Sequence, residues 1–250
     1  MPNGRVAAPI EGGGLLERDG ALRTIAGALV TARSGDGAFV LIEGHAGMGK
    51  TRLVDAALEH AQSMGIAALR VTCAELERNL SFGIAERLVK TLLAELPPRR
   101  RAALLRKAPA LVRPLLEDAG AARTAATKRA AVEQADAPDA TPGVGDPPSA
   151  GDAATLAQAH GLFTVTAEAL EAAPALVAVD DLHWCDQASL EFLLYLSNRL
   201  DELPVALLGT RRTGIAEQPV DVLERIAALG HIRVERLPPL TRSAVGVVVG

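Results

Sequence analysis

The stretch AFVLIEGHAGMGKT (38–51) restricts the fold more than any other part of the chain. An apolar, strand-like run ends at Ile42. Gly44, Gly47 and Gly49 then follow in quick succession, before Lys50 and Thr51 open a helical pattern. Glycine costs backbone entropy and adds nothing to a core, so packing does not account for this spending. Such a loop brings successive backbone N–H groups to a helix N-terminus, where unpaired donors and the helix dipole hold an anion. GHAGMGKT fits G-x-x-x-x-G-K-[ST] in the strand-to-helix setting that the motif requires. In that reading Lys50 supplies a compact positive charge for the β- and γ-phosphates of a nucleoside triphosphate, and the Thr51 hydroxyl ligates Mg²⁺. The expected nucleotide-binding set is Gly44, Gly47, Met48, Gly49, Lys50, Thr51 and Arg52. Lys50 is expected to face solvent when no ligand is bound.

Elsewhere the chain alternates strand-like and helix-like segments. Helical spacing covers 15–33, where Leu22, Ile25, Ala26 and Leu29 share a face, and 50–65, which ends at Gly65. Short apolar runs at 38–44, 66–73, 175–181, 204–210 and 231–237 read as buried strands. Helices are expected over about 84–119, 154–173, 186–200 and 219–229. Strands alternating with helices imply parallel crossovers and a three-layer α/β/α sandwich. Residues 1–14 read as a disordered N-terminus and 130–153, dense in Pro, Gly and Asp, as a disordered insertion. The expected ATPase unit is therefore 15–240, with 241–250 beginning a following helical or lid region.

Two further stretches carry chemistry. In ALVAVDDLHWCD (175–186) an apolar run delivers Asp180 to the end of a strand, where a phosphate-loop enzyme needs a carboxylate for the magnesium shell. Asp181, next along, is placed to orient or activate the attacking water; a paired-Asp helix cap is the alternative. In LLGTRRT (207–213) a strand ending in Thr210 and Arg211 would aim a polar group or a cation at the γ-phosphate, with Arg212 as the exposed neighbour. His183 and Trp184 read as packing for the aspartate loop.

A formal net charge of −4 predicts no general attraction to nucleic acid or anionic membrane. The basic run PPRRRAALLRK (97–107) reads as a solvated helix face. The cysteines, Cys73 and Cys185, match no metal-ligand spacing and fit a reducing, cytoplasmic setting. No apolar run reaches the roughly 18 residues of a membrane span.

Taken in order, LLERDGAL, LIEGHAGMGKTRL, LVAVDDLHWCDQASLEFLLYL and LLGTRRT resemble the nucleotide-binding module of STAND-type ATPases. More narrowly they resemble the large ATP-binding transcriptional regulators of the LuxR type. The D-D-x-x-W-x-D run (Asp180, Asp181, Trp184, Asp186) is the most specific part of the likeness. The resemblance implies a five-stranded sheet of order 5-1-4-3-2 and Mg-ATP as ligand. It implies Lys50 and Thr51 in the phosphate loop, Asp180 as the magnesium carboxylate, and Arg211 as a sensor; with Asp181 as read above, the expected catalytic set is Asp181, Lys50 and Arg211. Glu17 stands where the family has Gly in its adenine-side "GRE" element. The implied function is a slowly hydrolysing switch that self-associates in its ATP state. A turnover AAA+ ATPase or small-molecule kinase, and a binding-only nucleotide module, are the alternatives. The helix-turn-helix of such regulators has no counterpart in these residues, so direct nucleic-acid binding is not expected of them.

Overall fold

The computed structural model describes residues 15–117, 150–171, 173–214 and 220–241. The expected tail 1–14, most of the expected insertion (130–149) and residues 242–250 lie outside the described residues.

Helix α1 (Asp19–Arg33) leads into β1 (Ala38–Gly44), the loop that follows, and α2 (Lys50–Ser63). Strand β2 (Ala67–Thr72) precedes three helices, α3 (Gly83–Ala94), α4 (Pro98–Lys107) and α5 (Arg113–Leu116). Helix α6 (Ala150–Leu170), starting four residues before its expected bound, is followed by β3 (Ala175–Asp180), α7 (Gln187–Ser197), β4 (Val205–Arg212), α8 (Val220–Ala227) and β5 (Arg233–Arg236). The strands form one parallel sheet in the order β2-β3-β4-β1-β5, as expected.

The interior strands are apolar on both faces because helices cover both. Val40 and Ile42 of β1, Leu176 and Ala178 of β3, and Ala206 and Leu208 of β4 pack against α1 and α2. The alternating residues Phe39, Leu41, Val177, Val179 and Leu207 face the other way, onto α3, α6, α7 and α8. With almost no aromatic side chains available, these layers are filled by Leu, Val and Ala. Close approach substitutes for bulk: a Cβ on Gly209 of β4 would stand 2.7 Å from Leu182 Cδ1. That glycine lets the loop after β3 settle onto the sheet.

Strand β4 runs two residues beyond the expected 204–210, so Arg211 and Arg212 are strand residues, level with Glu43 and Gly44 of β1. Successive strand side chains leave on opposite faces. The two arginines therefore point apart, with consequences for the site.

Candidate functional site

The site lies at the carboxyl ends of β1, β3 and β4, beside the start of α2. The loop after β1 turns through two left-handed glycines, Gly47 (φ 76°) and Gly49 (φ 83°). Gly49 is the N-cap of α2, and no side chain caps that end. The first turn of α2 holds no acidic residue either, so its amide donors have no carboxylate partner there. Such an end receives an anion well.

Lys50 corrects one expectation. It is buried, 8% exposed, with Nζ donating to the Gly44 and His45 carbonyls at 2.9 Å each. An ammonium lifted out of water keeps its donors satisfied, here by the carbonyls of its own loop. Burial lowers its pKa; Asp181 and Asp180 oppose that shift and Arg212 adds to it.

Asp180 closes β3 and is 1% exposed. Its Oδ2 accepts from Thr51 Oγ1 at 3.3 Å, across 129 positions of sequence. Its Oδ1 accepts from the Thr210 hydroxyl. Thr210 in turn accepts from the Asp181 N–H at 2.9 Å, fixing the turn in which Asp181 adopts a left-handed conformation (φ 60°). Residues of α2, β3 and β4 thus meet at one carboxylate: Thr51, Asp180 and Thr210. The facing hydroxyl and carboxylate are hard oxygen donors of the kind Mg²⁺ takes. Among the described residues no three His, Cys, Asp or Glu side chains gather as a metal cage.

A cleft of about 350 Å³ opens above this point. Gly47, Met48, Gly49, Lys50, Thr51 and Arg52 form one wall, and Asp181, His183, Trp184 and Arg212 the other. Gly44 ends β1 and does not line the cleft; its carbonyl accepts from Lys50 Nζ.

Arg211, expected at the γ-phosphate, is not brought to the cleft. It is 6% exposed, donating through Nε to Glu43 Oε1 (2.8 Å) and through Nη1 to Glu224 Oε1 (2.9 Å), on the α8 side of the sheet. The alternation of β4 turns Arg212 toward the cleft instead, together with Thr210. A longer strand in the sequence reading would have revealed this.

His183 also contributes more than packing, since it lines the cleft while being 3% exposed. Its Nδ1 accepts from the Arg212 N–H at 3.4 Å and lies 3.8 Å from Asp181 Oδ1. Burial is the main cause of its lowered pKa, with Asp181 opposing.

Asp186, the last member of the D-D-x-x-W-x-D run, does a different job. Its Oδ1 accepts from the Phe82 and Ser189 N–H groups at 2.9 Å each, and its Oδ2 from the Ile84 N–H at 3.3 Å. It caps α7 and ties the start of α3 to the same carboxylate. On the far side of the loop, Arg18 donates to the Met48 carbonyl (3.3 Å) and the Pro238 carbonyl (3.1 Å), joining the N-terminal segment to the cleft. Glu17 has φ 59°, a conformation that favours glycine, and its carboxylate accepts from the Thr241 N–H at 2.9 Å.

This geometry meets a clear counterpart among known families: the model of the AAA ATPase domain matches residues 14–208. The chain belongs to that family. The AAA ATPase domain binds a nucleotide, usually with Mg²⁺, and the matched residues include the glycine loop Gly44 to Thr51. No curated protein matches the chain. Among solved structures it is similar to a DNA replication initiation factor, at 14% identity and a TM-score of 0.42, covering 93% of this chain and 49% of that one. It is also similar to a signal transduction ATPase with numerous domains (STAND) that carries a tetratricopeptide repeat sensor, from Pyrococcus horikoshii. There the identity is 16% and the TM-score 0.36, covering 86% of this chain and 23% of that one. This AAA ATPase domain therefore spans about half the length of the first and a smaller part of the second, and neither likeness bears on function. Among the described residues no helix is long and apolar enough to cross a membrane.

Proposed function

We propose that residues 15–240 are an ATP-dependent switch of the STAND type, the regulatory ATPase of a cytoplasmic, LuxR-type transcriptional regulator or related signalling protein. The observation that carries this reading is the 3.3 Å contact between Thr51 Oγ1 and Asp180 Oδ2 at the foot of the cleft. It joins the two residues a phosphate-loop ATPase needs for its cation. The sequence likeness of the D-D-x-x-W-x-D run supports the narrower family assignment.

In this reading the uncapped start of α2 and the amides of the glycine loop hold the phosphates. Lys50 exchanges its two carbonyl partners for phosphate oxygens. Thr51 and Asp180 would hold Mg²⁺, which would supply charge neutralisation to the phosphates. Asp181, at the cleft wall with its side chain 38% exposed, orients the attacking water. Arg212 takes the sensing role expected of Arg211, because it is the arginine that lines the cleft. ATP then stabilises a different arrangement from ADP only through the groups that touch the third phosphate. Self-association in the ATP state is the output that the family likeness implies.

Single-turnover hydrolysis by the wild type and by Asp181→Ala tests this. A switch gives slow wild-type hydrolysis, abolished in the variant with ATP affinity kept. Wild-type turnover above about 1 s⁻¹, a common enzyme rate, would point to a turnover ATPase or kinase. Tight ATP binding with no hydrolysis in either protein would point to a binding-only module.

A further inference from the structure

Asp180 has a third partner that the phosphate-loop chemistry does not call for. Arg70, on the edge strand β2, donates through Nη2 to Asp180 Oδ2 at 2.6 Å. This is the same oxygen that faces Thr51, and the contact is much shorter than that of Thr51. The other arm of the guanidinium, Nη1, donates to Asp55 Oδ1 at 2.7 Å. Asp55 lies four residues beyond Thr51 on α2, one turn along the same face. The Arg70 side chain remains 30% exposed while Asp180 is almost fully buried. Its Nε is buried without a hydrogen-bond partner, so this seat does not satisfy the whole group.

A buried carboxylate needs a positive partner. A guanidinium 2.6 Å from Asp180 Oδ2 and a divalent cation on the same carboxylate repel each other in a poorly solvated site, so the two compete for it. We propose that Arg70 is an internal counter-cation that competes with Mg²⁺ for Asp180, and that Mg-ATP binding moves it aside onto Asp55. The proposal rests on the reading of Asp180 as the metal carboxylate. Asp55 suits the second half of the exchange: it is 44% exposed and already holds one arm of the fork, so Arg70 keeps an ion pair when it leaves. The edge strand, remote from the phosphate loop in sequence, thereby sets how strongly the site demands its metal.

The sign of one measurement separates this from ordinary electrostatics. Removing a cation near a polyphosphate site ordinarily weakens ATP binding. Removing a competitor strengthens binding of the metal complex. Calorimetry with Mg-ATP, and with ATP in EDTA, on wild type and Arg70→Gln should show Mg-ATP bound about tenfold more tightly by the variant. Metal-free ATP should be bound no better. Unchanged or weaker Mg-ATP binding by the variant overturns the proposal. Arg70→Met, an apolar chain beside Ala68, makes the same test if the glutamine variant melts below the assay temperature. A wild type that binds Mg-ATP and metal-free ATP equally well overturns the metal role of Asp180 itself. A wild type that prefers Mg-ATP while the variants fail to tighten overturns Arg70 alone.

Discussion

Helices α2 and α7 pack on opposite faces of one sheet, and each begins with N–H groups that no carbonyl of its own helix can reach. At α7 the chain supplies the acceptor. Asp186 receives the Ser189 N–H and, with its remaining capacity, the Phe82 and Ile84 N–H groups at the start of α3. At α2 it supplies none: Gly49 stands at the cap in a left-handed conformation, and the charged side chains of the first turn, Lys50 and Arg52, are both basic. One carboxylate used internally closes a helix end and buries it. A helix end left without one, and lined by an ammonium, is stable only as long as water or an incoming anion faces it. The contrast separates a helix start closed by the chain's own carboxylate from one left open, within motifs that look equally polar in sequence.

The comparison breaks most visibly at the closed end. Asp186→Ala leaves three buried N–H donors without a partner, an expected loss of about 3 kcal/mol or more, measured as a fall in denaturation midpoint. ATP affinity, measured by calorimetry well below the melting temperature, should change less than about threefold, since no ligand contact is assigned to that carboxylate. A large loss of affinity with little loss of stability would reverse the roles assigned to the two helix starts. At the open end the converse holds. Lys50→Ala should weaken ATP binding by roughly a hundredfold, the range for charge-assisted hydrogen bonds. It should lower the melting temperature far less than Asp186→Ala does, because the Gly44 carbonyl still accepts from the Thr213 N–H at 3.3 Å and His45 is exposed.

What the sequence showed of this contrast depended on how local the signal was. The glycine loop and the apolar run before it are contiguous, and β1 and the first residue of α2 lie where that pattern puts them. Asp180 was legible because the phosphate loop independently requires a carboxylate at a strand end. The position of Lys50 was not, since burial follows from the carbonyls it folds onto, which no spacing reports. Arg211 and Arg212 turned on where β4 ends: two more strand residues reverse which arginine faces the P-loop side. Arg70 was harder still. A charge inside a strand-like run, IAALRVTC, marks an edge, but its partners Asp55 and Asp180 meet it only through the pairing of β2 with β3.

The exchange of arginines gives a smaller effect that sharpens the open end of the comparison. Arg212→Gln should reduce the preference for ATP over ADP by about tenfold, the scale of one charge-assisted contact to the third phosphate. Arg211→Gln should leave that ratio within about twofold of wild type and instead lower stability, because it strips Glu43 of a buried ion-pair partner. Competitive displacement of a fluorescent nucleotide by ATP and by ADP reads both ratios. Equal ratios in the two variants would mean that the alternation of β4 does not decide which arginine senses the ligand.

The smallest effect lies in the loop that joins the two ends. His183 follows Asp181 at the cleft and precedes the Asp186 cap, and burial holds its folded pKa below the ordinary 6.5. The unfolded chain therefore takes up the proton first as pH falls. The contribution is fully present above about pH 6.5 and is lost as pH drops through the unfolded value toward the lowered folded one. Protonation also turns Nδ1 from an acceptor into a donor, which removes the bond from the Arg212 N–H. His60 is shifted in the same direction by burial, so His183→Gln should flatten the acid-side slope without abolishing it. Melting temperatures of wild type and variant between about pH 5 and 7.5 should converge at the acid end by a few degrees. Parallel curves would mean that His183 takes up its proton as readily folded as unfolded. The arginine on β4 would then be held toward the cleft by the strand alone.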